Sequence, residues 1–317
     1  MKPIVAMPFR HHKELVCPEA RQILEDAGFQ LVCNDTGLKL PREEQKKIMA
    51  GAYAIIAGTE QYDADMLDAC PDLKVIIRFG VGTDNFDLQT MRQRGIQVGV
   101  ITNHNAVAEF ALTLILSVMK NVPRYDAAAR QGKWSRFPMR ELTGKTVGIV
   151  GFGRIGRRLA ELLSGFGVEL LAYDPYMDAE AAAARNAVPV SIEELLERSD
   201  IVSLHLPLTK DTRHLINKDT LARMKTGAYL INTARGGLVD EEALYAALAE
   251  GKLAGAGQDV YEVEPVVEGN PLFSLENNVL SPHVSALTHE TNYNGGIICA
   301  ESIVQVAQGG APLYPLR

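Results

Sequence analysis

The sequence predicts an α/β protein built from two doubly wound parallel sheets, and three observations carry that prediction. Short apolar segments alternate with amphipathic ones through roughly the first hundred residues. The alternation restarts near residue 146 and runs to about 282. At the restart stands VGIVGFGRIGRRLAELL, from Val147 to Leu163, a strand, a glycine turn and an amphipathic helix in one unit. Strands separated by helices are joined by crossovers, which makes the sheet parallel and covers both of its faces.

Each element has its own justification. PIVAM (3–7) is a short apolar strand, and PEARQILEDAG (18–28) has helical spacing and ends on Gly28 as a C′ residue. FQLVC (29–33), AYAIIAG (52–58) and LKVIIR (73–78) are further strands, with helical segments at 63–70 and 87–94 between or after them. NAVAEFALTLILSVMKNV (105–122) is apolar around most of its circumference, which predicts a buried helix. A second long helix covers roughly 288–308. These two read as connectors between a domain made from the chain's ends, 1–99 with 288–317, and a domain inserted at 100–287.

Within the insert, TVGIV, VELLAY (168–173), IVSLHL (201–206), AYLINT (228–233) and NVLSP (278–282) are strand candidates. SIEELLERS (191–199) opens on a capping box, Ser191 standing three residues before Glu194. DEEALYAALAEG (240–251) starts on an acidic cap and ends on Gly251, and the alanine run at 181–184 reads as helix. No internal repeat or low-complexity tract interrupts the pattern.

Composition narrows the function classes. The 317 residues are 47% hydrophobic and 22% charged with a net charge of −7, which fits a globular, mildly acidic protein. A basic footprint for nucleic acid is missing, and no run of about 18 apolar residues predicts a membrane span. The start, MKPIVAMPFRHHKE, does not read as a signal peptide. Cys17, Cys33, Cys70 and Cys299 form no CxxC pair, so reduced thiols, a cytoplasmic setting and no metal are expected.

Gly151, Gly153 and Gly156 satisfy GxGxxG. The first permits the tight turn, the second lets backbone approach a pyrophosphate, and the third lets helix pack on strand. The anion then meets N–H groups and the positive end of the helix dipole at Arg154 and Ile155. Glycine turns also serve S-adenosylmethionine proteins, so the motif alone is weak. The next strand ends in AYDPY, placing Asp174 eighteen residues beyond Gly156. A carboxylate there accepts both ribose hydroxyls of NAD and repels the 2′-phosphate of NADP. NAD is the expected cofactor.

INTARGGLVDEEAL (231–244), GAGQDVYEVEP (255–265) and VLSPHVSAL (279–287) follow. With the glycine turn, these motifs make the chain resemble the D-isomer-specific 2-hydroxyacid dehydrogenases, most closely the phosphoglycerate dehydrogenase-like branch. The resemblance runs from about Ala54 to His289 and rests on four separated motifs in the family's order. It implies a Rossmann NAD domain inserted into a flavodoxin-like substrate domain, and a homodimer. It also implies a catalytic arginine at Arg235, its acidic partner at Glu264 and an acid/base histidine at His283.

Those residue types suit the chemistry. Reducing a 2-keto acid takes a hydride from nicotinamide and a proton for the carbonyl oxygen. Histidine titrates near neutral pH and can supply the proton. A neighbouring carboxylate orients an imidazole and favours its charged form. Arginine grips carboxylate and carbonyl oxygens through its planar fork.

The resemblance further implies cofactor contacts at His205, Pro207, Thr212, Thr233 and Ala234, and at Asp259, which would accept from the carboxamide. Packing is a competing role for His205. In RFGVGTDN (78–85) the N–H groups of Val81 and Gly82 would bind the substrate carboxylate as a small anion nest. Asn103 is a further candidate substrate contact. Arg136, in GKWSRF, matches a basic residue that reaches the neighbouring subunit's site in some relatives.

One segment departs from the pattern. Phosphoglycerate dehydrogenases usually carry VRSAT where this chain has IAGTE (56–60), so the phosphate-binding arginine becomes Ala57 and Glu60 adds a negative charge. Overall similarity suggests 3-phosphoglycerate; Ala57 favours hydroxypyruvate, glyoxylate or another small acid. Two other classes stay open. The carboxyl-terminal-binding corepressors use this scaffold to sense NAD(H) without turnover. A methyltransferase would explain the glycine turn but not Arg235, Glu264 and His283.

Overall fold

The computed structural model describes residues 2–9, 17–101, 104–266 and 268–316. The chain divides into two compact units, Met1–Asn103 with Leu287–Arg317, and His104–Ala286.

In the first unit, β1 (Ile4–Met7), β2 (Gln30–Cys33), β3 (Ala52–Ala57), β4 (Val75–Arg78) and β5 (Gln97–Val100) form a parallel sheet in the order β2-β1-β3-β4-β5. This is the flavodoxin-like strand order. Alternate strand residues feed two cores. Val5, Met7, Val75 and Ile77 pack with Cys299 and Ile303 of helix His289–Ala307. Ala6, Ile55 and Ile76 pack with Met49, Leu67 and Met91 on the other face. Gly28 ends helix Pro18–Asp26 at φ 84°, as its C′ role requires.

Two elements here escape the periodicity argument. Helix Arg42–Met49 buries only Gln45 and Met49, so its sequence lacks an apolar stripe. Ion pairs Lys46–Glu43 at 3.1 Å and Lys47–Glu44 at 2.6 Å run along it instead. Strand β5 contains Gly99, where a Cβ would stand 2.7 Å from Ile77 and 2.8 Å from Pro312. Close packing, not β propensity, selects that residue.

The second unit holds β6 (Thr146–Val150), β7 (Glu169–Tyr173), β8 (Ala187–Pro189), β9 (Ile201–Leu204), β10 (Ala228–Asn232), β11 (Leu253–Gln258) and β12 (Asn278–Leu280). Their parallel order is β12-β11-β10-β9-β6-β7-β8, the Rossmann arrangement with one strand added at the β11 edge. Helix His104–Met119 buries Val107, Ala111, Leu114, Ile115 and Val118, as its apolar circumference predicts. Strand β11, LAGAGQ, reads poorly as a strand because glycine and alanine disfavour sheets. A Cβ on Gly255 would lie 2.5 Å from Val118, and one on Gly257 2.9 Å from Leu114. Small residues there let the helix lie directly on the sheet.

Of the capping box at Ser191, only half forms. The Ser191 hydroxyl accepts from Glu194 N–H at 3.2 Å, while the Glu194 carboxylate turns to Arg198 at 2.5 Å. Asp240 caps helix Glu241–Ala249 through the Ala243 N–H at 3.1 Å. Among the described residues no single helix is long and apolar enough to cross a membrane.

Candidate active site

The strand order of the second unit reverses between β6 and β9, and open α/β sheets bind ligands outside the carboxyl ends of their strands at such a switch. The glycine turn follows β6 there. Gly151 sits at φ 100°, and a Cβ on it would stand 2.6 Å from the His205 carbonyl carbon. A Cβ on Gly156 would overlap the Gly151 carbonyl oxygen. A Cβ on Gly153 would meet nothing within 4 Å, so the second glycine faces open space at the start of helix Arg154–Leu163. The first N–H groups of a helix lack intrahelical acceptors. Backbone donors therefore border an open space, the arrangement a pyrophosphate needs. Ile155 lends its side chain to the apolar core.

Asp174 stands at the end of β7, beside the turn. Its carboxylate accepts from Phe152 N–H at 2.7 Å and Tyr176 N–H at 2.8 Å. A carboxylate has about four acceptor positions, so two remain for ribose hydroxyls. At the end of β9, His205 Nε2 lies 2.9 Å from Ser203 Oγ. Burial lowers the His205 pKa to about 4, which keeps its imidazole neutral. The loop beyond it is closed by Thr212, whose hydroxyl donates to the Pro207 carbonyl at 2.7 Å.

After β10 the chain makes the turn that carries Thr233, Ala234 and Arg235. Asn232, 1% exposed, accepts from Ala234 N–H at 3.0 Å and donates to the Arg235 carbonyl at 2.9 Å. This Asx turn was not anticipated, although an asparagine ending a strand is a signal for one. The Thr233 hydroxyl is buried without a hydrogen-bond partner. A buried orphan hydroxyl at this strand end, the open space at Gly153 and the Asp174 carboxylate together fit a dinucleotide. Gly236 packs so tightly that a Cβ would overlap the Tyr261 backbone, which joins the arginine turn to the segment bearing Glu264.

His283 and Glu264 meet directly: Nδ1 lies 2.6 Å from Oε2. The other Glu264 oxygen accepts from Tyr261 N–H at 3.0 Å. Burial pushes the Glu264 carboxyl up, but the His283 hydrogen bond and charge, the Tyr261 N–H and the Arg235 charge outweigh it. The carboxyl therefore rests below its ordinary value and stays ionised. An ionised carboxylate only accepts, so the Nδ1 proton points to it and Nε2 remains for exchange with a ligand.

The backbone of His283 is left-handed, at φ 55°. Such a conformation costs of the order of 1 kcal/mol outside glycine and needs support. Asp259 provides it. Its carbonyl accepts from His283 N–H at 2.7 Å, and its carboxylate accepts from Ser281 Oγ at 2.6 Å, Val284 N–H at 2.9 Å and Ser285 N–H at 2.8 Å. Asp259 has 0% exposure, and three of its roughly four acceptor positions face this turn. Orienting His283 is thus a task the sequence reading missed, beside the carboxamide contact it implied.

In the first unit the 78–85 segment follows β4. Arg78 donates to the carbonyls of Phe79 at 2.7 Å and Gly82 at 3.0 Å. With those carbonyls drawn inward, neither Val81 nor Gly82 N–H finds an acceptor among the described residues. Asn103 lies outside the described residues. Ala57 has 0% exposure and packs in a core, so the backbone position matching the family's phosphate clamp offers no room for an arginine.

Comparison with known proteins follows the same lines. The family model for the D-isomer specific 2-hydroxyacid dehydrogenase NAD binding domain matches residues 112–285. D-3-phosphoglycerate dehydrogenase of Archaeoglobus fulgidus is 39% identical over 314 residues, 98% of this chain and 58% of that one. The chain thus spans little more than half the length of that relative. Glyoxylate reductase of Thermofilum pendens is 44% identical over 80% of this chain and 78% of its own length. The structure of D-lactate dehydrogenase from Aquifex aeolicus, complexed with NAD and lactic acid, aligns with a TM-score of 0.79 at 30% identity, over 96% of this chain and 94% of that one.

Proposed function

The chain belongs to the D-isomer-specific 2-hydroxyacid dehydrogenases, an NAD-binding oxidoreductase family, and from that premise we propose that it interconverts a small unphosphorylated 2-keto acid and its D-2-hydroxy acid. The observation that carries the reading is the 2.6 Å contact between His283 Nδ1 and Glu264 Oε2, in the same unit as the glycine turn and Asp174.

When bound, NAD would supply or accept the hydride. Gly151, Gly153, Gly156 and the N–H groups at Arg154 and Ile155 would hold its pyrophosphate, and Asp174 would hold a ribose. His205, Pro207 and Thr212 border the adenosine side. Thr233, Ala234 and Asp259 border the nicotinamide side. Arg235 grips the substrate's carboxylate and carbonyl oxygen, and the Val81 and Gly82 N–H groups are the first unit's candidate donors to a carboxylate. His283 delivers a proton from Nε2 to the carbonyl oxygen in reduction and removes it in oxidation. Glu264 stabilises the imidazolium that stands at one end of that transfer.

The unphosphorylated substrate is supported by the charge of Glu60, whose backbone is tied to the 78–85 segment by Asn85. A second copy of the chain completes the working form as a homodimer. Trp134 at 88% exposure and Met139 at 55% stand on a segment without regular structure, and apolar surface of that kind fits a protein contact. Arg136, 5.8 Å over the Trp134 ring, would travel with it toward the partner's site. The four free thiols suit the reducing cytoplasm.

NADH oxidation followed with glyoxylate, hydroxypyruvate, pyruvate and 3-phosphohydroxypyruvate tests the reading. Turnover is expected with one of the first three. Cofactor binding without turnover of any keto acid would replace the enzyme by an NAD(H) sensor.

A further inference from the structure

We propose that the nucleotide-binding unit carries a second anion site, at the end of its sheet opposite the glycine turn, and that it takes a small phosphate-like oxyanion. Parallel strands gather the residues that precede them at one edge. Lys145 precedes β6, Asp200 precedes β9, and Lys225 to Gly227 precede β10. The glycine turn and Arg235 follow β6 and β10 at the other edge. Between the leading turns lies a cavity of about 90 Å³ whose wall includes Arg140, Lys145, Asp200, Lys225 and Tyr229.

The charges on that wall do not balance. Asp200 is its one carboxylate, and both oxygens are engaged: Oδ2 accepts from Thr146 N–H at 2.9 Å and Oδ1 from Lys225 Nζ at 3.1 Å. Neither Arg140 nor Lys145 makes an ion pair within 4 Å among the described residues, and the single Asp200 carboxylate, which the Thr146 N–H, Lys225 and Lys145 hold below its ordinary value against burial, cannot balance the three cations. The Arg140 charge acts on the hydroxyl of Tyr229, a residue only 7% exposed. Burial pushes the Tyr229 hydroxyl up against the pull of Arg140, so it keeps its proton and can donate.

Two surplus cations therefore share a pocket in a protein whose net charge is −7. Like charges brought together repel, and an oxyanion between them turns that repulsion into charge-assisted hydrogen bonds. The pocket has room for a small oxyanion between these side chains.

The test is a titration of the NADH-saturated protein with inorganic phosphate, read as the shift in melting temperature against sodium chloride at equal ionic strength. NADH fills the glycine-turn anion site, so any saturable gain reports another one. Phosphate is expected to raise the melting temperature saturably and chloride is not. In the Arg140→Gln, Lys145→Gln double variant the half-saturating phosphate concentration should rise at least tenfold, with kcat and NADH affinity unchanged. Should that variant not fold, Lys145→Gln alone should raise it at least threefold. Glycerol phosphate identifies the source. Binding tighter than phosphate marks a phosphorylated metabolite, and weaker binding marks the free ion. No saturable gain, an equal gain with chloride, or unchanged affinity in the variants overturns the site; the last outcome would place phosphate in the substrate site instead.

Discussion

The two units prepare for their ligands by different means. In His104–Ala286 the candidate residues are polar side chains at strand ends, each aimed by a second group: Asn232 holds the Arg235 turn, Asp259 the His283 turn, and the Phe152 and Tyr176 N–H groups the Asp174 carboxylate. In the other unit the candidate surface is backbone. Arg78 draws in the carbonyls of Phe79 and Gly82, and the N–H groups of Val81 and Gly82 meet no acceptor among the described residues. Chemistry written in side chains is specific to residue type and hard to replace. Recognition written in backbone tolerates many sequences, and small neighbouring charges then decide which acid is preferred. Substitutions should therefore be most damaging in the nucleotide unit and most selective in the other.

The largest effect is expected at His283. His283→Ala removes the proposed proton donor and should lower turnover by roughly 10²–10⁴ while NADH affinity, measured by fluorescence titration, stays within about threefold. If NADH binding collapsed as well, His283 would be part of the unit's structure and the division between chemistry and binding would fail.

Asp174→Ala comes next. The variant loses a ribose acceptor and also frees the Phe152 and Tyr176 N–H groups that the carboxylate now ties down. Two charge-assisted hydrogen bonds of roughly 1.5 kcal/mol each place the fall in kcat/KM for NADH at about a hundredfold. The fall for NADPH should be smaller, because its 2′-phosphate no longer meets a carboxylate. Equal losses for the two cofactors would leave Asp174 as a latch for the glycine turn only.

A third change acts within the catalytic pair. Burial raises the Glu264 carboxyl, and the His283 hydrogen bond, the Tyr261 N–H and the Arg235 charge together bring it below its ordinary value. A depressed carboxyl stabilises the fold fully above its unfolded value, near 4.3, and loses that contribution as pH falls through the lower folded value. Glu264→Gln should accordingly flatten the acid limb of the stability curve. It also deprives the imidazolium of its partner, so turnover should fall about tenfold while NADH affinity holds. Unchanged turnover would make Glu264 a packing residue.

The same contrast explains what could be read from sequence. Both doubly wound sheets were legible because the strand segments are apolar runs bounded by glycine-closed helices, and Asp174 was legible from its distance to the glycine turn. Strand β11 was not, because its glycines answer to Leu114 and Val118 on a helix more than a hundred residues earlier. Helix Arg42–Met49 was not, since it buries too little to show a period. Among the candidate residues, Asn232 and the orienting task of Asp259 depend on which backbone groups fold back upon them, and spacing alone does not encode that. Nor does the sequence show where the Ala57 side chain lies. The residue lies in a core, so an arginine introduced there would be buried rather than presented to a ligand.

The smallest and most selective effect belongs to Glu60, in the unit whose proposed binding surface is backbone. Asn85, the last residue of the 78–85 segment, donates to the carbonyls of Gly58 and Glu60, so Glu60 is tied to the loop proposed to hold the substrate carboxylate. A carboxylate so placed repels an added phosphate more than it repels a hydroxymethyl group. At the effective dielectric of a protein surface, a unit charge several ångströms away contributes about 0.5–1 kcal/mol after screening. Glu60→Gln removes the charge and keeps the shape. It should raise kcat/KM for 3-phosphohydroxypyruvate relative to hydroxypyruvate by about two- to fivefold, leave NADH affinity unchanged, and shrink the difference as salt is added. A ratio that does not move would assign Glu60 to loop packing. A wild-type enzyme that already favours the phosphorylated acid a hundredfold would sink the substrate proposal itself, and would mean that the backbone surface is assisted by a cation outside the 78–85 segment.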